Sequence, residues 1–130
     1  MKKVKSLICI VLSLVMLMAI IPATPALAVT ENVTIVNTSW VRIYPAASNT
    51  LSSPINGQVR IETANMGSTH LDIAMYDRNG NEVWIECCAV DCNEIRTFNC
   101  GSNVYYIMAR SHYHGINITN KNITVTATRL

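Results

Sequence analysis

Charge is scarce in this chain, and most of the short motifs that announce chemistry are missing. Only 14% of its 130 residues are Asp, Glu, Lys or Arg, and ten basic against eight acidic side chains leave a formal charge of +2. A nucleic-acid binder needs a concentrated basic surplus, which this balance excludes. No G-x-S-x-G, H-E-x-x-H, C-x-x-C or glycine-rich phosphate loop occurs, so the common nucleophile, zinc-protease, redox and nucleotide sites have no support. The eight acids stand singly along the chain, which leaves paired-carboxylate chemistry without an anchor. Beyond residue 28 there is no internal repeat, low-complexity stretch or charge block, and no 11-residue window carries a helical apolar stripe. The reading is of a protein that is not an enzyme.

Half of the residues are hydrophobic, which excludes a disordered polar tail, but the apolar content is concentrated at the start. Lys2, Lys3 and Lys5 form a positive cluster, Leu7 to Ile21 is an apolar run of 15 residues broken only by Ser13, and Pro22 and Pro25 end it. Ala26-Leu27-Ala28 then supplies small residues at the −3 and −1 positions of a cleavage site. A spanning helix needs about 20 apolar residues, so residues 1–28 are expected to be a secretory signal peptide, with residues 29–130 as one secreted domain. Removing residues 1–28 takes three of the ten basic residues and none of the acids. The remaining 102 residues carry seven bases, eight acids and a formal charge of −1. Cys9 leaves with the leader. No membrane span is expected after cleavage.

Four cysteines stay: Cys87, Cys88, Cys92 and Cys100. An even count in an exported chain favours disulfides. Neighbours Cys87 and Cys88 are poorly placed to bond each other, so two pairings remain open: Cys87–Cys92 with Cys88–Cys100, or Cys87–Cys100 with Cys88–Cys92. Zinc ligation by these thiolates, with His112 and His114 nearby, is the competing reading, but the C-C-x3-C-x7-C spacing matches no paired C-x2-C signature.

Val, Ile, Thr and Tyr are frequent, and Asn and Gly punctuate short runs, as in strands joined by turns. Strands are expected at Val33–Val36, Ser39–Tyr44, Gln58–Ala64, His70–Asp77, Glu82–Cys87, Ile95–Phe98, Val104–Ser111 and Asn122–Arg129. Alternation sets Val59, Ile61 and Thr63 against Arg60 and Glu62. It also sets Leu71, Ile73 and Met75 against Asp72, Ala74 and Tyr76, and Tyr105, Ile107 and Ala109 against Tyr106, Met108 and Arg110. Ile123, Val125 and Ala127 close the pattern. Period 2 with one apolar face is the mark of an antiparallel sheet over a core. The fold class is all-β, a small antiparallel sandwich of about eight strands, jelly-roll-like.

The stretch Leu71-Asp72-Ile73-Ala74-Met75-Tyr76-Asp77-Arg78-Asn79-Gly80, followed by Val104-Tyr105-Tyr106-Ile107-Met108-Ala109-Arg110, resembles the bacterial pre-peptidase C-terminal domain family. There an L-x-I-x-L-Y-D-x-N-G strand and turn precede a Y-Y-x-x-V strand. The likeness spans roughly Gly57 to Thr128 and implies a noncatalytic accessory domain with some calcium- or matrix-binding relatives. This chain departs from the family in its cysteine cluster and in carrying no peptidase, and no catalytic residue carries over.

Asp77, Asn79 and Asn81 place oxygen ligands at alternate positions, as a calcium loop begins. The glycine and glutamate that an EF-hand needs at positions 6 and 12 are instead Glu82 and Cys88. A hairpin turn with Asn79-Gly80 in a type I′ conformation is the plainer expectation, and no cofactor is predicted, with calcium held as the candidate. His112 and His114, two apart, could face one metal, and His70 with Asp72 could form an acid–base pair on one strand face. Trp40, Arg42 and Tyr44 alternate along another strand and form the expected ligand-binding strip, suited to stacking on sugar or to capturing a protein. Four N-x-S/T triplets, at Asn32, Asn37, Asn117 and Asn122, reflect composition. The leading expectation is a secreted noncatalytic module that binds an extracellular glycan or protein surface. The alternative is an antimicrobial or toxin-like effector, against which the charge of −1 counts at anionic membranes.

Overall fold

The computed structural model of the chain describes residues 28–36, 38–67, 69–91, 94–112 and 122–130. Residues 1–27 of the expected leader, Asn37, Cys92, His114 and the triplet at Asn117 lie outside them. Eight strands form: β1 (Thr30–Ile35), β2 (Val41–Tyr44), β3 (Gly57–Ala64), β4 (His70–Tyr76), β5 (Glu82–Val90), β6 (Ile95–Cys100), β7 (Tyr106–His112) and β8 (Ile123–Arg129). Among the described residues there is no helix, and hence none long and apolar enough to cross a membrane.

Pairing is antiparallel throughout, and the partners are nested. β1 pairs with β8, β2 with β7, β3 with β6 and β4 with β5. The chain is thus one long ribbon doubled on itself. β8 against β3 and β7 against β4 then join the pairs into two four-stranded sheets, β1-β8-β3-β6 and β2-β7-β4-β5. That order is the jelly roll. Val59, Ile61, Leu71, Ile73, Met75, Ile107, Ala109, Ile123, Val125 and Ala127, all turned inward by alternation, are buried between the sheets. One open side is closed by Glu86 and Arg96, which meet through two hydrogen bonds of 2.7 and 3.0 Å from β5 to β6. Trp84 packs edge-on against Phe98 beside them, 5.8 Å between centroids.

Three register shifts break the ladders, one in β2 and two in β5, the second of these at Val83 between Trp84 and Glu82; two of them change what reaches each face at the expected sites. In β2 the register slips between Arg42 and Tyr44, opposite Met108 and Ile107. An extra residue shifts every later side chain to the other face, so Tyr44 turns inward and is 5% exposed. The expected Trp40–Arg42–Tyr44 strip therefore does not form as a continuous row. In β5, Leu71 faces Val90 while Ile73 faces Glu86, so residues 87–89 stand opposite the single residue Asp72. Cys88 takes φ 52° there, a conformation costly for a side chain with a Cβ.

The bulge opposite Asp72 also sets where the cysteines lie. The strand runs on through Cys87 and Cys88 to Val90, instead of looping back at Cys87. Cys87 is exposed, while Cys100 ends β6 in the other sheet and is buried. Among the described residues no bridge joins Cys100 to either β5 cysteine, and Cys92, which both expected pairings need, lies outside them. Burial pushes the Cys100 thiol up to about 11, which keeps it protonated and inert.

Between β4 and β5 the chain turns at Asp77–Asn81. Gly80 donates to the Asp77 carbonyl at 3.3 Å, and the Asp77 N–H donates to Asn81 at 2.9 Å. Gly80 alone in this turn has positive φ, 88°, so a turn closed by one left-handed glycine replaces the expected type I′ pair. A Cβ on Gly80 would meet the Tyr106 hydroxyl at 3.6 Å, an ordinary contact. The cost of Gly80→Ala is then conformational, about 1 kcal/mol, expected as a lower urea midpoint with an unchanged m-value.

Candidate functional site

The outer face of β2-β7-β4-β5 gathers most of the functional groups that the sequence singles out. β4 is its centre, and residues 71–75 of that strand are all buried. Leu71, Ile73 and Met75 face the core, while Asp72 points to the outer face and is still 0% exposed. An ionised carboxylate survives such burial only when saturated with donors. Three neighbours supply them. The Cys88 N–H, aimed by the left-handed bulge, donates to Oδ1 at 2.8 Å. Arg110 on β7, directly across the register from Asp72, donates Nε–H to Oδ2 at 2.9 Å. His112 Nδ1 lies 2.8 Å from Oδ1 and 3.0 Å from Oδ2. Burial pushes the Asp72 pKa up, but the Cys88 N–H, His112 and Arg110 together outweigh it, and the carboxyl sits below its ordinary range.

The cluster opens on a cleft of about 390 Å³ lined by Thr38, Asp72, Arg110, Ser111 and His112. Arg110 is partly exposed, and its guanidinium carbon lies 4.7 Å above the Trp40 ring. One carboxylate oxygen of Asp72, the Cys88 sulfur and one imidazole nitrogen of His112 all lie within 4.8 Å of one another. A Cys–His–Asp relay needs the imidazole between sulfur and carboxylate. Here the sulfur lies close to the carboxylate as well, so the three groups converge on a point and form no line. Burial, followed by the Asp72 charge, raises the Cys88 thiol, the reverse of an activated nucleophile.

The other expected sites resolve differently. His70 does not pair with Asp72: its Nδ1 meets the Asp91 carboxylate. In the 77–81 turn, Asp77 Oδ1 accepts from the N–H groups of Asn79 and Asn81, at 2.8 and 2.9 Å, and Oδ2 accepts from Asn81 Nδ2 at 2.8 Å. Asn81, chiefly through its side chain, holds the Asp77 pKa low. The carboxylate closes its own turn. His112 is joined to Asp72 and Cys88, whereas its expected companion His114 lies outside the described residues.

Sequence reasoning missed a second arrangement on this face. Tyr76 and Tyr106, cross-strand partners, stack at 5.1 Å with planes 7° apart. β2 and β4 flank β7 on opposite sides, so Arg42, 5.8 Å over the Tyr106 ring, covers the side that Tyr76 does not. Arg42 is pinned to the following loop by a 2.9 Å bond to the Ala46 carbonyl. Val83 and Ile85 are exposed on β5.

Two solved structures show a low similarity to the chain. A protein of the Bacillus endospore appendages, a novel family of disulfide-linked pili, is 13% identical with a TM-score of 0.44, over 78% of this chain and 82% of its own. The SPBc2 prophage-derived protein YomS is 11% identical with a TM-score of 0.48, over 82% of this chain and 97% of its own. No family model and no curated protein matches the chain.

Proposed function

We propose that this chain is an exported, noncatalytic module that binds a protein surface through the outer face of β2-β7-β4-β5. The observation that carries the reading is the Arg42–Tyr106–Tyr76 stack. Recognition of sugar by stacking needs an open ring face, and both faces of Tyr106 are occupied. What the sheet offers instead is ring edges, hydroxyl groups, a guanidinium and the apolar Met108 and Ile85. Tyrosine, tryptophan and arginine around an apolar centre are the composition of protein–protein hot spots. Arg42 makes no ion pair among the described residues, so carboxylates on the partner would complement it.

Export is supported by the leader-like sequence of residues 1–28. The pre-peptidase C-terminal resemblance, carried by Leu71–Gly80 and Val104–Arg110, agrees with an accessory role. The test is binding of labelled, purified chain to intact cells of the producing species after protease or periodate treatment. Protease should abolish binding and periodate should leave it. The double variant Arg42→Ala/Tyr106→Ala should weaken it roughly 10-fold or more. Binding that resists protease and disappears with periodate would establish a glycan ligand and overturn the proposal.

A further inference from the structure

The geometry points to a divalent transition-metal site, best suited to zinc, formed by Asp72, Cys88 and His112. The site is separate from the binding reading above and does not depend on it. A carboxylate, a thiol and an imidazole each present one donor atom, and all three atoms lie within 4.8 Å of one another. Zinc takes oxygen at about 2.0–2.2 Å, nitrogen at about 2.0–2.1 Å and sulfur at about 2.3 Å, so donors sharing one tetrahedral ion sit roughly 3–4 Å apart. Small side-chain adjustments bring this cluster to that spacing. Three protein ligands with a fourth position open to solvent is the pattern of accessible zinc sites, and here the cleft beside Thr38 and Ser111 leads to the cluster.

The surroundings favour an ion over a hydrogen-bonded cluster alone. Cys88 reaches the site only because the β5 bulge holds a non-glycine residue at φ 52°, and strain of this kind gathers at functional positions. Arg110 binds Oδ2 of Asp72 at 2.9 Å. It orients the carboxylate as partners of metal-ligating carboxylates do, with Oδ1 held 2.8 Å from the His112 imidazole. The mixed O, N, S donor set suits zinc better than calcium or magnesium, which take oxygen. On binding, a Zn–S bond forms, the Cys88 S–H bond breaks, and one proton passes to solvent.

The test uses the purified exported chain, stripped with chelator, kept reduced and titrated with zinc against a chromophoric competitor. One equivalent per chain should bind. Cys88→Ser and His112→Ala should each weaken binding about 100-fold or more, Arg110→Ala about 10-fold, while Cys87→Ser should bind as the parent does. Cobalt in place of zinc should give a sulfur-to-metal charge-transfer band that Cys88→Ser lacks, and circular dichroism of each variant checks that it is folded. Absence of stoichiometric uptake, uptake unchanged in folded Cys88→Ser, or a Cys88–Cys92 disulfide in the chain as exported would each overturn the site.

Discussion

Replacing Asp72 by alanine is expected to lower the unfolding free energy of the metal-free protein by about 3 kcal/mol at neutral pH. Asp72 is wholly buried, and its two oxygens take up the Cys88 N–H, Arg110 and His112. Breaking a buried pair by deleting one partner costs about 3–5 kcal/mol where the survivor is also buried. Arg110 is 37% exposed and recovers part of its hydration, which places the cost at the low end. The Cys88 N–H has no such recourse. Its bulge was held by this acceptor, and a strained φ of 52° would lose its anchor.

The effect should also depend on pH in a defined direction. The folded-state pKa of Asp72 lies below the ordinary carboxylate value. Its contribution is therefore fully present above the unfolded value of about 3.9 and is lost as pH falls through the lower folded value. Urea unfolding in the presence of chelator should show parent and Asp72→Ala differing most near neutrality and converging in acid. A gap that stays constant down to pH 2 would contradict an ionised, donor-saturated Asp72.

Ile73→Ala, one residue along, should cost about as much or slightly more, roughly 3–4 kcal/mol, with no pH dependence. Ile73 is 0% exposed on the core side of β4, the central partner of both β5 and β7. Its truncation removes transfer free energy and leaves a cavity that two flanking strands prevent from collapsing. The two neighbours thus report on opposite faces of one strand. Equal loss of stability with unequal response to acid distinguishes them, and a cost below 1 kcal/mol for Ile73→Ala would contradict its place in the core.

The strands and the core were legible in the sequence because both follow from alternation. Each of the eight expected strands forms, with ends moved by a few residues, and of the expected inward sets Val59, Ile61, Ile107, Ala109, Ile123, Val125 and Ala127 are buried, while Thr63 and Tyr105, at strand ends, are only half-buried. Alternation fails where the backbone adds a residue. Tyr44 crosses to the core at the β2 bulge, and the strand expected to stop at Cys87 continues through a second bulge to Val90. Neither bulge is marked by glycine or proline, the residues that usually signal one.

The polar cluster was hidden for a different reason. Asp72 is 16 positions from Cys88 and 40 from His112, and only the jelly-roll order sets β5, β4 and β7 side by side. A hint was present in His70–Tyr76, where one carboxylate interrupts an otherwise apolar strand. A charge in that setting needs partners, but only the topology says which. The Tyr76–Tyr106 stack was out of reach on the same grounds, since its members are opposed only through the β4–β7 register.

If recognition belongs to one face of the sandwich, the two faces should respond differently to substitution. Cell binding should be measured for Arg42→Ala/Tyr106→Ala beside Gln58→Ala/Asn99→Ala, which removes an exposed hydrogen-bonded pair between β3 and β6. Binding should fall roughly 10-fold or more for the first pair and stay unchanged for the second. Equal losses, or a loss confined to the β3–β6 pair, would contradict recognition by one face.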